Sequence, residues 1–144
     1  MALPALAEGT DALLLNCIDY RLVGDVTRYM DGRGMTDRYD QVALAGASLG
    51  IASDKFPAWA ETFWQHLDIA IQLHHVHQVI ALDHRDCGAY KVALGQDFAK
   101  YPEAELAVHA QHLLQFRDLV KLKQPALDVE LLLMALDGSV EVIG

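Results

Sequence analysis

Four short apolar runs set the rhythm of this chain, each too brief for a helix and too continuous for a surface strand. Ala12–Cys17 (ALLLNC), Gln41–Ala45 (QVALA), Val79–Asp83 (VIALD) and Val129–Leu136 (VELLLMAL) have the length and character of strands buried on both faces. Between them the apolar period lengthens. Leu22, Val26, Tyr29 and Met30 recur at helical spacing until Asp31-Gly32-Arg33-Gly34 breaks the pattern. Phe56, Trp59, Ala60, Phe63, Leu67 and Ala70 mark one face of a second helix, with Ser53 or Asp54 as its expected cap and Pro57 in its first turn. Trp64, Asp68, Ile71 and His75 add a second stripe, a breadth that suggests burial against two surfaces and a subunit contact.

A short helix is expected from Ala89 to Leu94, stopped by Gly95. Pro102-Glu103-Ala104-Glu105 then opens a long helix that runs to Lys123. Its acids fall in the first turn, and Lys121 and Lys123 in the last, in agreement with the helix dipole. Asp137-Gly138 is a hairpin signal, so Ser139–Ile143 is expected to return antiparallel at the sheet edge. Met1–Thr10 reads as a leader without a period. The predicted order β-α-β-α-β-α-α-β-β describes an α/β fold. It has a mostly parallel four-stranded sheet, an antiparallel fifth edge strand and helices on both faces. No repeat or boundary divides residues 1–144, which are read as one domain.

Composition narrows the class. At 53% hydrophobic and 22% charged, the chain is globular rather than disordered. Its formal charge of −9 argues against nucleic acid or an anionic membrane surface as partner. No run reaches the length of a membrane span, and the first residues lack the basic region of a secretory signal. The expected location is cytoplasmic, where a disulfide between the two cysteines is disfavoured.

Both cysteines lie at strand exits. Cys17-Ile18-Asp19-Tyr20-Arg21 follows the first run, and His84-Arg85-Asp86-Cys87-Gly88 follows the third. Ligands of open parallel sheets bind in the crevice outside the carboxyl ends of the strands. Cys17, His84 and Cys87 there would offer two thiolates and one imidazole, a set suited to zinc. Either cysteine alone reads as a small core residue; the pairing favours the metal. Residues i and i+2 share a face of a strand, so Cys17 and Asp19 can point into one crevice, with Arg21 in reach of the Asp19 carboxylate. Beside a metal, Arg21 would fix the direction of the Asp19 carboxylate, against the plainer reading of a surface ion pair. Two arrangements are open: Arg21 holds Asp19 away from the metal, or Asp19 becomes a fourth ligand.

Rival readings are weaker. Arg21 is four residues after Cys17 with no glycines between, unlike the anion loop of a cysteine phosphatase, and no Cys-x-x-Cys occurs. The His74-His75-Val76-His77 cluster sits at a predicted helix C-terminus, where imidazolium is favoured without any ligand role. His109 and His112 share a helix face and are expected to be solvated.

The two motifs together resemble the β-class carbonic anhydrase family, whose hallmark is Cys-x-Asp-x-Arg after the first strand and His-x-x-Cys-Gly after the third. The resemblance runs from about Ala12 to the end. It implies zinc bound by Cys17, His84 and Cys87, and a homodimer or higher homo-oligomer. It also implies hydration of CO2 to bicarbonate by attack of zinc-bound hydroxide, with Asp19 steered by Arg21. Tyr20 stands where members usually carry serine, and Ala43-Leu44-Ala45-Gly46 where many have Arg-Asn-Ala-Gly. The family's N-terminal helical arm, with a glutamine that helps place bicarbonate, is not matched. The alternatives are hydrolysis of carbonyl sulfide or carbon disulfide at the same zinc, as in a related group, and a non-catalytic zinc-binding or thiol-sensing paralogue.

Overall fold

The apolar run Ala12–Asn16 forms β1, and every residue of it is buried because a parallel neighbour lies on each side. The structure is a computed structural model that describes residues 9–144; most of the leader read over Met1–Thr10 therefore lies outside the described residues. The remaining strands are β2 (Tyr39–Ala43), β3 (Gln78–His84), β4 (Asp128–Met134) and β5 (Val140–Val142). The sheet order is β2-β1-β3-β4-β5, parallel throughout except for the antiparallel β4–β5 pair. The expected α/β sheet with an antiparallel fifth edge strand is thus present.

The helices are α1 (Val23–Gly32), α2 (Leu49–Ala52), α3 (Pro57–His74), α4 (Gly88–Leu94) and α5 (Pro102–Lys123). Strand alternation sorts the core into two layers. Leu13, Leu15, Val79, Ala81, Leu131 and Leu133 cluster with Phe63 and Leu67 of α3 and with Phe116 of α5. Ala12, Leu14, Ile80, Leu82, Leu132 and Met134 cluster with Val26 and Met30 of α1 on the other face. The continuous leucine runs of β1 and β4 serve both layers at once, which is why they carry no polar alternation.

Several local expectations are corrected. β2 begins at Tyr39 and stops at Ala43, and it is half exposed rather than buried, because it is an edge strand paired only with β1. Leu44 and Ala45 belong instead to a turn closed by the Ala47 amide on Leu44 O, and Leu49–Ala52 then forms the unexpected helix α2. Neither Ser53 nor Asp54 caps α3, whose N-cap is Phe56; the Ser53 hydroxyl accepts the Lys55 amide instead. The second stripe of α3 is met within the chain: Trp64 and Ile71 pack on the core, and the Lys123 ammonium lies over the Trp64 ring. The α5 boundaries and the Asp137-Gly138 turn fall where expected, with Gly138 at φ +87°.

β1 connects to β2 on one side of it, while β3 pairs on the other, so the strand order reverses between β1 and β3. This is the switch point at which open sheets leave a crevice. Asn16 pairs with Leu82, which brings Cys17 level with Asp83 and His84 as both strands leave the sheet.

Phe116 has no exposed surface and meets Phe63 edge-on with ring centroids 5.6 Å apart. Phe116→Ala is expected to lower unfolding free energy by about 3–5 kcal/mol, against roughly 0.5 kcal/mol or less for Leu122→Ala on the exposed side of α5. Denaturant midpoints at constant m value check both.

Candidate metal centre

Cys17 follows β1 directly, His84 is the last residue of β3, and Cys87 is the N-cap of α4. The two sulfurs are 4.0 Å apart, and one ligand atom from each of the three residues lies within 4.8 Å of the others. Among the described residues this is the one His/Cys/Asp/Glu cluster that could hold a metal ion. The His84 ring shows which atom faces it. Nδ1 lies 2.7 Å from Arg85 O, so the proton resides on Nδ1 and is donated to that carbonyl. Nε2 is left buried with no hydrogen-bond partner. An unmet polar atom of this kind costs about 1–3 kcal/mol, and a metal removes that cost. A ligating histidine whose other nitrogen donates to a backbone carbonyl is also the usual device for fixing tautomer and ring direction. The donor set fits a soft divalent ion.

The loop after β2 completes the sulfur environment. The Gly46 amide donates to Cys17 Sγ at 3.3 Å. Gly46 has φ +79°, and a Cβ there would lie 2.9 Å from a Leu49 methyl, so only glycine presents this amide without strain. The hydrogen bond from the Cys87 thiol lowers the Cys17 thiol to about 4 against the opposing effect of burial; His84 and the Gly46 amide lower it further. Cys87 is pushed upward by its hydrogen bond to Cys17 and by burial. Burial opposes charge on His84, but the Cys17 sulfur beside it prevails and the ring is shifted upward.

Asp19 caps a 3-10 turn, Tyr20–Leu22, that immediately follows the cysteine loop. Its carboxylate accepts the Arg21 amide at 2.9 Å, Arg21 Nη2 at 2.8 Å and Arg21 Nε at 3.1 Å. This grip holds the Asp19 carboxyl down at about 2. Asp19 Oδ2 is 3.6 Å from His84 Nε2 and outside the three-atom cluster, with Arg21 engaged on the carboxylate. Arg21 has a second hold that the sequence did not reveal: Nη1 donates to Asp86 Oδ2 and Nη2 to Asp86 O, both at 2.9 Å. One guanidinium therefore ties the exit loop of β1 to the exit turn of β3.

That turn needs the support. Asp86 has φ 55°, a left-handed conformation that aspartate tolerates better than most residues. Its amide donates to Glu105 Oε2 at 2.8 Å, and Arg85 spans Glu105 Oε1 and Glu141 Oε1 at 3.0 Å each. Glu105, a dipole-matched acid in the sequence, is buried beneath the turn. His109 and His112 are corrected outright: both are buried, because their shared face of α5 packs on the Tyr90 ring and meets the carboxylate of Asp83. By contrast, His74 and His77 are exposed and face different acids, Asp40 of β2 and Asp11 just before β1.

Two cavities flank the cluster, and both are lined by Asp19 and Gly88. The apolar one, about 360 Å³, has walls of Cys17, Ile18, Phe56, Trp59 and Val92. Phe56 and Trp59 stack at 4.1 Å between centroids, and Trp59 lies so close to Gly50 that a Cβ there would be 2.9 Å from its ring. The polar one, about 390 Å³, has walls of Arg21, Asp86, Lys91, Asp97 and His109. No atom would lie within 4 Å of a Cβ at Gly88, which faces open space rather than a close backbone neighbour.

The fold has solved counterparts. A β-carbonic anhydrase of Trichomonas vaginalis superposes with a TM-score of 0.63 at 16% identity, over 99% of this chain and 87% of that one. The tetrameric β-carbonic anhydrases of Sordaria macrospora give 0.60 at 14% identity, over 96% and 82%. Uncharacterized proteins of Rickettsia conorii and Rickettsia bellii are 43% and 38% identical over 131 residues, 91% of this chain and 70% and 80% of theirs. The family described as "Putative carbonic anhydrase" matches residues 7–143. With its mostly parallel sheet and a Cys-His-Cys cluster at the switch point, the chain belongs to that family.

Proposed function

We propose that the chain hydrates carbon dioxide to bicarbonate at a zinc ion held by Cys17, His84 and Cys87, as a carbonate dehydratase. The observation that carries this reading is the unpartnered, buried Nε2 of His84, which faces two cysteine sulfurs with a clamped carboxylate 3.6 Å away. Two sulfurs and an imidazole nitrogen favour zinc among common divalent ions. A bound zinc ion supplies Lewis acidity and lets water act as a nucleophile near neutral pH.

The chain's own residues do the rest. Asp19, held ionised by Arg21, accepts a hydrogen bond from the attacking water and turns its free lone pair toward the substrate carbon. Arg21 cannot drift, because Asp86 holds its other edge. The apolar cavity beside Cys17 admits an uncharged linear molecule and offers a charged one no partner other than Asp19, whose charge opposes anions. That apolar wall also favours a second reading, hydrolysis of carbonyl sulfide or carbon disulfide, which share the shape and lack of charge of CO2. Tetrameric β-carbonic anhydrases share the fold, which supports a homo-oligomer, at least a dimer. Sedimentation is expected to give a species heavier than the 15.9 kDa chain; a monomer at high concentration would remove this part of the proposal.

One zinc per chain is expected by elemental analysis, lost in a His84→Ala, Cys87→Ser double variant. Full occupancy in that variant would refute the ligand assignment. Assay of CO2, carbonyl sulfide and carbon disulfide on one zinc-loaded sample selects the substrate, and silence toward all three at full zinc marks a non-catalytic paralogue.

Activity toward CO2 is expected to fall at least tenfold, roughly 1.4 kcal/mol of barrier, in Arg21→Ala with zinc retained. Asp19 freed from Arg21 returns from about 2 toward the ordinary aspartate value near ~3.9, and so stays ionised at neutral pH. The freed carboxylate is then able to take the fourth position on zinc, where hydroxide competes better as pH rises, so the deficit of the variant is expected to be largest near pH 7 and to shrink toward pH 9. Wild-type rates in Arg21→Ala at full zinc would reduce the pair to a surface ion pair.

A further inference from the structure

Asp83 is the residue before His84, and strand alternation sends its side chain to the opposite face of the sheet, beneath α5. It is 1% exposed, and its carboxylate accepts four hydrogen bonds. These come from the Ser48 amide at 3.1 Å, the Ser48 hydroxyl at 2.9 Å, the Tyr90 hydroxyl at 2.6 Å and His109 Nδ1 at 2.8 Å. Burial, with the Asp83 charge next, pushes the Tyr90 phenol well above its ordinary value, so Tyr90 remains a donor.

The donors stand in a telling relation to the proposed ligands. Ser48 ends the loop whose Gly46 amide donates to Cys17 Sγ. Tyr90 lies one turn into α4, three residues after Cys87. Asp83 itself is bonded through the backbone to His84. One carboxylate thus ties the end of β3, which carries His84, to the loop whose Gly46 amide meets Cys17 Sγ and to the helix that begins at Cys87, while His109 of α5 closes the fourth side. A polar hub buried this deeply is unfavourable unless every lone pair is met. An apolar residue would pack the same space, but it would leave the three segments to find their relative positions by contact alone.

We infer that Asp83 is a positioning residue that sets the spacing of Cys17, His84 and Cys87, acting through Ser48 and Tyr90 rather than by touching a metal or substrate. The inference rests on the reading of these three as zinc ligands. Tyr90→Phe is the gentlest test, since it removes one hydroxyl and keeps the ring that packs on His109 and His112.

Zinc affinity is measured by chelator competition on the folded wild type, Tyr90→Phe, Ser48→Ala and Asp83→Asn, together with the absorption spectrum of each protein loaded with cobalt(II). The expected result is a loss of roughly tenfold or more in zinc affinity, the scale for partners that orient ligands, with a changed cobalt–thiolate spectrum. In Asp83→Asn, adding Tyr90→Phe is expected to have less than a twofold further effect, because the two act through one hub. Should Asp83→Asn fail to fold, Tyr90→Phe and Ser48→Ala still decide. A purely structural role would lower the unfolding midpoint of the metal-free chain and leave zinc affinity and the cobalt spectrum of the folded protein as in wild type; that result overturns the proposal. If wild type binds no zinc, the ligand reading fails and takes the proposal with it, a different outcome from variants that match a zinc-binding wild type.

Discussion

The structure turns on an unmet ring nitrogen. His84 donates through Nδ1 to the Arg85 carbonyl, which leaves Nε2 buried and without a hydrogen-bond partner, facing the sulfurs of Cys17 and Cys87. Buried polar atoms are almost always satisfied, so an exception asks for a ligand. Parallel pairing of β1 with β3 creates the exception, because it brings two strand exits side by side at the point where the sheet changes direction. The leucine-rich strands keep that pairing fixed from both faces.

Around the cluster the charges are arranged for order rather than for burial. Arg21 holds Asp19 with one edge and Asp86 with the other, and Glu105 holds Arg85 and the Asp86 amide from below. The turn that carries Cys87 therefore has a left-handed aspartate whose amide and carbonyl are both engaged. The apolar wall of Phe56 and Trp59 on one side and the polar wall of Lys91, Asp97 and His109 on the other make the two approaches to the cluster chemically unlike.

The strands, the long α5 and the convergence of Cys17, His84 and Cys87 could be read from sequence because each depends on local signals: continuous apolar runs, Pro102 and Lys123 at helix ends, and motifs of five residues at strand exits. What escaped depends on partners far apart in the chain. Asp83 looked like the polar end of a strand, and nothing local says that Ser48 and His109, 35 and 26 residues away, converge on it. The burial of His109 and His112 escapes the sequence for the same reason, since an imidazole reads as polar until its buried acceptor is known. QVALA is apolar enough for an interior strand, but the edge position of β2 is a property of the sheet order and leaves no local signal.

X-ray absorption at the zinc edge of the zinc-loaded chain decides whether both cysteines reach the metal. Two sulfurs at about 2.3 Å and an imidazole nitrogen at about 2.0 Å are expected, with one further light atom completing a tetrahedron. A shell built only of nitrogen and oxygen would contradict this assignment, for it would leave Cys17 and Cys87 outside the metal centre.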